Sequence, residues 1–191
     1  MRKIILASKS PRRRELFKIL GVPFVIKESD YEENLTKKME PKELAITMSQ
    51  GKARTIAKKQ KDAIVIAADT LISFQNKVLG KPRSEKDAFS MLSQMSGKVH
   101  SVITGYTILD TKTKKNLSKA VETKVYFRKL KSQEIKNYIK TSQFLDKAGA
   151  YGIQELGQLL IEKIEGNYSN VVGLPLGSLV QSLKQFDINI L

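Results

Sequence analysis

Ile4-Ile5-Leu6-Ala7-Ser8-Lys9-Ser10-Pro11-Arg12-Arg13-Arg14 takes the chain from an apolar run straight into a helix start. Ile4, Ile5 and Leu6 read as a buried strand. Pro11 suits the first position of a helix, where a missing N–H costs nothing, and Ser10 before it can cap that helix. A helix opening at a strand's end presents free backbone N–H groups and the positive end of its dipole, which favours an anion. Ser8, Ser10 and three arginines add hydroxyls and guanidiniums suited to phosphate. The same cluster also fits a capped surface helix with a solvated basic first turn, so the decision falls to residues elsewhere.

Ala63-Ile64-Val65-Ile66-Ala67-Ala68 is a short continuous apolar run, the pattern of a strand buried on both faces, and it leads into Asp69-Thr70. A strand ending there would put the Asp69 carboxylate at a carboxyl edge, where ligands bind in open α/β sheets. A cap for a turn or helix is the other reading of that acid. A hairpin over residues 75–77 then brings Leu79-Gly80-Lys81-Pro82 and its lysine close in sequence. A helix after Pro41 carries an apolar stripe of Leu44, Ala45, Met48, Ala53 and Ile56, with Lys52 on or beside it. Either the Lys52 stem snorkels out, or its ammonium meets a phosphate or carboxylate in a cleft.

Other elements follow from local signals. The first helix is predicted over residues 11–20, ended by Gly21, and a strand over 22–27 leads to acidic 30–33. Ser84 and Asp87 form a capping box for a helix closed by Gly97. Strands over 100–109 and 120–127 alternate and join through polar 110–119. Ser132 caps a helix with Ile135, Tyr138 and Ile139; a glycine-rich stretch covers 147–152; residues 158–164 suggest a strand; Gly166-Asn167 a turn; and 174–186 a last helix. The expected fold is α/β: one domain over residues 1–191, a mixed central sheet flanked by helices.

With 191 residues, 41% hydrophobic and 28% charged, the chain reads as an ordinary globular protein. No apolar run approaches the roughly 20 residues that span a bilayer, and Met1-Arg2-Lys3 leads into too few apolar residues for a secretory signal, so a cytoplasmic location is expected. Absence of cysteine excludes disulfides and thiolate chemistry. The lone His100 excludes a histidine cluster and reads as a strand-edge residue without a chemical role. A net charge of +15 invites a nucleic-acid reading, but 27 of the 34 basic residues are scattered lysines without interleaved aromatics. A solvated lysine surface that steers an anionic substrate fits better. Neither G-x-G-x-x-G, a Walker G-K-[ST] nor G-x-S-x-G occurs, which removes dinucleotide, P-loop and serine-hydrolase readings.

Ser8-x-Ser10-Pro11-Arg12-Arg13, Ala68-Asp69-Thr70, Gly80-Lys81-Pro82, Ser96-Gly97, Asp146-Lys147-Ala148-Gly149-Ala150-Tyr151-Gly152-Ile153-Gln154 and Val172-Gly173-Leu174-Pro175 together resemble the Maf family of nucleoside triphosphate pyrophosphatases. The six motifs stand in the family's order and cover essentially the whole chain. The resemblance implies a Maf/ITPase-like fold of two lobes around a cleft and hydrolysis of a nucleoside triphosphate to monophosphate and pyrophosphate. It implies Asp69 as the base that activates water, and Asp69 with Glu33 as holders of a divalent cation, Mg²⁺ or Mn²⁺. It places Ser8, Ser10, Arg12, Arg13, Lys52 and Lys81 on the triphosphate. Arg12, Thr70 and Gln154 take the form found in the subgroup acting on dTTP and UTP, with modified pyrimidine nucleotides as further candidates. A homodimer is expected, without a stable nucleic-acid or membrane partner.

On the residues alone, Glu33 reads as a solvated loop acid and Gln154 as a strand-end side chain bonded to backbone. An amide at 154 nevertheless both donates and accepts, which suits the O4 acceptor and N3–H donor of uracil or thymine. The chain departs from the family at Glu155, where glycine is usual, and at Gln143-Phe144-Leu145, which replaces a commoner Glu-Pro pair. Two competing functions are a basic nucleic-acid-binding protein and a cell-division regulator with a vestigial pocket. Neither gives the clustered acids and cations a use.

Overall fold

A computed structural model describes residues 2–32 and 39–191. The opening strand β1 (Lys3–Leu6) gives way to α1 (Pro11–Lys18), with Ser10 as its cap: the Ser10 hydroxyl accepts from the Arg13 N–H at 3.4 Å. Ile19 and Leu20 continue as a turn, and Gly21, at φ +67°, ends it. The strand expected over 22–27 shrinks to β2 (Val25–Ile26), which pairs in parallel with Ile5 and Leu6. Pro23 lacks a ladder donor, and Val22 and Phe24 pack against the core instead of pairing. After α2 (Pro41–Ala57) come β3 (Ala63–Phe74) and β4 (Lys77–Leu79), joined by the two-residue turn Gln75-Asn76 with φ of +50° and +59°.

The second half runs α3 (Glu85–Met95), β5 (Val99–Asp110), β6 (Asn116–Phe127), α4 (Ser132–Lys140), β7 (Ile161–Glu165), α5 (Tyr168–Val172) and α6 (Leu176–Leu183). The loop predicted over 110–119 is shorter than expected, because β6 starts at Asn116. Leu117 packs into the core, while the Ser118 hydroxyl is met by Thr107 at 2.9 Å and Gln50 at 3.2 Å. Residues 158–160 belong to a 3₁₀ turn, Glu155–Leu160, so β7 is shorter than predicted. Ser132 is the first helical residue of α4; Glu134 caps it by accepting from the Lys131 N–H at 2.8 Å.

Among the described residues the strands form one mixed sheet in the order β2-β1-β3-β5-β6-β7, with β4 also on β3. The pairs β2–β1 and β1–β3 are parallel and the others antiparallel. Alternation along β3 assigns the faces. Val65 and Ala67 pack with Ala53 and Ile56 of α2, and Leu71 with Leu44, Ala45 and Met48 of the same helix. Gly105 on β5 allows this close approach, since a Cβ there would lie 2.3 Å from the Ala45 carbonyl.

The opposite face carries two separate cores. Ile64, Ile66, Ala68, Tyr106 and Ile108 pack under α1 and α6; Ile72, Phe74 and Val102 pack under α3 and α4. Thr70 on β3 and Thr104 on β5, register partners, fall between the two. The two lobes therefore share one sheet; their seam is polar where β3 meets β5, while Ile161, Ile164 and Val171 pack against both cores. No helix among the described residues is long and apolar enough to cross a membrane.

Candidate active site

The expectation that β3 ends at Asp69 is corrected: the strand runs on to Phe74, and Asp69 lies within it. What ends is the neighbour. On one edge β1 pairs with β3 only as far as Ile66, and β4 takes up that edge at Ile72. Residues 67–71 are left between them, so Asp69 stands beyond the carboxyl end of β1, in the gap between two strands that share an edge. The ligand-binding position inferred for an open sheet is thus retained, with β1 and not β3 supplying the strand end.

Asp69 is only 5% exposed. It points to the α2 face, where Lys52 donates to its Oδ1 in a largely buried ion pair. A buried carboxylate requires such a partner, and of the two readings of Lys52 the structure bears out the carboxylate one. Thr70, next along the strand, points to the other face. There its Oγ1 accepts from Arg13 Nη2 at 2.9 Å, while Arg13 Nε donates to the Gly173 carbonyl at 2.8 Å. Gly173, at φ +125°, lies tight against both: a Cβ there would sit 3.4 Å from Arg13 Nε and 3.4 Å from Thr70 Oγ1.

A cavity of about 840 Å³ opens over this gap. Ser8, Ser10, Arg12, Arg13, Lys52, Asp69, Thr70, Lys81 and Gln154 all line it. Glu33 lies outside the described residues. The Ser8 hydroxyl accepts from the Ser10 N–H at 3.2 Å, which tightens the turn into α1. Lys81 reaches Asp146 at 3.3 Å on the rim. Among the described residues the Gln154 amide makes no hydrogen bond, so its expected bond to backbone is not found, and the side chain is exposed on the cavity wall.

Sequence reasoning gave no role to Lys147, which also lines the cavity. Its ammonium is held below the usual lysine range, first by burial and then by the neighbouring Arg12 guanidinium. Two cations brought together in a cleft mark a place for an anion. The signal was present in Asp146-Lys147-Ala148-Gly149, which reads as a glycine-rich stretch and a family motif. That loop is also where the backbone is strained: Ser142, Asp146, Ala150 and Glu155 have φ of +58°, +57°, +65° and +56°. Glu155, one of the departures from the family, thus occupies a conformation that glycine adopts freely, and Gln143, another departure, accepts from the Leu156 N–H at 3.1 Å to hold it.

A Maf-like protein model matches residues 3–186. The chain belongs to the Maf family. Its relatives include a protein of Thermoanaerobacter sp. (strain X514) named dTTP/UTP pyrophosphatase, 51% identical over 191 residues, 99% of this chain and 100% of that one. Proteins of the same name from Alkaliphilus oremlandii and Bacillus cereus (strain B4264) are 47% and 43% identical, each over 100% of this chain and 100% and 98% of theirs. Among solved structures, a HAM1 protein from Coxiella burnetii aligns with a TM-score of 0.48 at 16% identity, over 66% of this chain and 73% of that chain. At that level the likeness adds nothing to the assignment, which rests on the family match.

Proposed function

We propose that this Maf-family chain hydrolyses dTTP and UTP to the monophosphate and pyrophosphate, by attack of water on the α-phosphorus. One observation carries the reading: a single cavity gathers a buried carboxylate, its lysine partner and a helix start rich in guanidiniums. The names of relatives about half identical over their full length supply the substrate class.

In this reading Asp69 takes the proton of the attacking water, from a carboxylate shielded from bulk solvent but open to the cleft. Lys52 offsets its charge, so that an anionic triphosphate can approach the acid. Arg12, Arg13, Lys81 and Lys147 hold phosphate oxygens and offset the charge that builds on the leaving pyrophosphate. Ser8, Ser10 and the N–H groups opening α1 add neutral donors. Gln154 faces the base.

The donors in the cleft suit a hard dication. The side-chain oxygen donors that line the cavity are hydroxyls, carboxylates and the Gln154 amide; the chain has no cysteine, and its one imidazole is buried in the second core. No three acids or imidazoles converge among the described residues, so Asp69 would share Mg²⁺ or Mn²⁺ with substrate phosphates and with Glu33. When bound, such an ion acidifies water and neutralises phosphate charge.

A nucleotide panel with Mg²⁺ or Mn²⁺ tests the proposal. The expected products from dTTP and UTP are the monophosphate and pyrophosphate, with no turnover when the divalent ion is chelated. Release of orthophosphate and a nucleoside diphosphate would mean attack at the γ position and would overturn it.

A further inference from the structure

The seam between the two lobes holds a run of hydrogen bonds whose direction is fixed from both ends. The Asn170 carbonyl can only accept, so Thr104 spends its one hydroxyl hydrogen there, at 2.9 Å. Thr104 Oγ1 must then accept from Thr70 Oγ1, also at 2.9 Å, which spends the hydrogen of Thr70. At the other end the Arg13 guanidinium can only donate, and it does so to Thr70 at 2.9 Å. Thr70 is left with no proton to give. Phosphate oxygens need donors, so Thr70 in this arrangement cannot serve them directly, although it lines the cavity.

The far end of the run is rigid. Asn170 and Thr104 are fully buried. The Asn170 amide donates to the Val102 carbonyl and to Thr123 Oγ1, each at 3.0 Å, tying α5 to β5 and β6. A long arginine side chain has many rotamers to lose on binding a ligand, and one locked beforehand loses fewer.

We propose that Thr104 is a positioning residue for nucleotide binding: acting through Thr70, it locks the Arg13 guanidinium against Gly173, and Thr70 serves Arg13 and not the phosphates. The proposal rests on the reading that Arg13 meets the substrate. In the near-isosteric Thr104→Val, Thr70 loses its acceptor, turns to another and withdraws from Arg13 Nη2, while the Asn170 carbonyl keeps its bond from the Gly173 N–H.

Two measurements test it. In steady-state kinetics with dTTP, Thr104→Val should raise KM about 5- to 30-fold and leave kcat within about two-fold, with Thr104→Ser near wild type. In an Arg13→Gln background the same Thr104→Val change should add less than about two-fold. The second readout needs no substrate: the Arg13 Nη2–H resonances should be protected in wild type and Thr104→Ser, and averaged with solvent in Thr104→Val. If Thr104→Val does not fold, Thr70→Val should give the same loss of protection and Thr70→Ser should retain it. Equal protection in wild type and valine variant, or an undiminished KM rise in the Arg13→Gln background, would overturn the proposal. A wild type that turned over no nucleotide would remove the functional reading, and the Arg13 resonance would still decide whether the relay exists.

Discussion

Asp69 owes its meaning to a partner 17 residues earlier in the chain. An acid after six apolar residues reads as a strand end, because a carboxylate inside a buried strand is costly; Lys52, projecting from α2, removes that cost. Asp69→Asn should lower turnover by about 10² to 10⁴, the usual contribution of a positioned base. Because Lys52 and Asp69 open onto the cleft, the accompanying loss of stability should fall short of the roughly 3 to 5 kcal/mol typical when one partner of a fully buried ion pair is removed. Near-normal turnover in this variant would reduce Asp69 to a partner for Lys52. Gln154, exposed on the cavity wall, should read the base by its amide. Gln154→Glu sets a carboxylate against the O4 carbonyl, and should change the dTTP to dGTP ratio of kcat/KM by about 5- to 150-fold, the scale of one bidentate base contact. If both rates fell together and the ratio held, Gln154 would be supporting the loop. These residues were legible because Asp69 follows a continuous apolar run, Lys52 interrupts an apolar helical stripe, and Gln154 closes a glycine-rich motif. Thr104 and Asn170 were not, since a threonine in a strand and an asparagine after a turn look like filler until register sets Thr104 opposite Thr70 and the packing of α5 brings the Asn170 carbonyl to Thr104.

Helices with strong signals at both ends were legible in outline: α1 by its serine cap and proline, α3 by its capping box and Gly97. Short elements fixed by tertiary contact were not. The five-residue α5 exists because the Asn167 side chain accepts from the Asn170 N–H at 3.0 Å, a signal that from sequence gave only a turn. His100 was misjudged for a related reason. Polar residues are expected at strand edges, yet His100 lies inside β5, buried between Phe127 of β6 and Tyr151 of the cleft loop, with its Nε2 2.6 Å from the Tyr151 hydroxyl. Burial lowers its pKa from 6.5 to about 4. The folded state therefore takes up this proton less readily than the unfolded chain. Its contribution is fully present above the unfolded value and is lost as pH falls through the window toward about 4. Between about pH 7 and pH 4.5 this one group should remove about 2 to 3 kcal/mol of unfolding free energy. Denaturant titrations of wild type and His100→Gln at both pH values check it: the variant should lose that much less. An identical loss in the two proteins would mean that other groups, such as the acids paired with lysine and arginine, account for the whole acid sensitivity.

A net charge of +15 acts on the chain's encounters more than on its fold, and two groups of its cations lie far apart. Arg12, Arg13, Lys52, Lys81 and Lys147 line the cleft. Lys58, Lys59, Lys112 and Lys114 are exposed on segments that flank the start of β3 and the end of β5, where Ile64 pairs with Asp110, several residues along the strands from the Thr70–Thr104 pair at the cleft. Salt at about 0.1 M screens exposed charges beyond roughly 10 Å, so the distant lysines should matter little to a bound triphosphate and the cleft cations a great deal. Raising salt from about 0.05 to about 0.5 M should therefore lower kcat/KM for dTTP severalfold, chiefly through KM. Arg12→Gln should flatten that dependence, whereas glutamine at Lys58, Lys59, Lys112 and Lys114 together should leave it nearly unchanged. A protein built to grip nucleic acid predicts the reverse, because neutralising a spread of phosphate contacts removes salt sensitivity in proportion to their number wherever they lie. Were the distant lysines to carry the salt dependence, the cleft would not be the site that the charge serves.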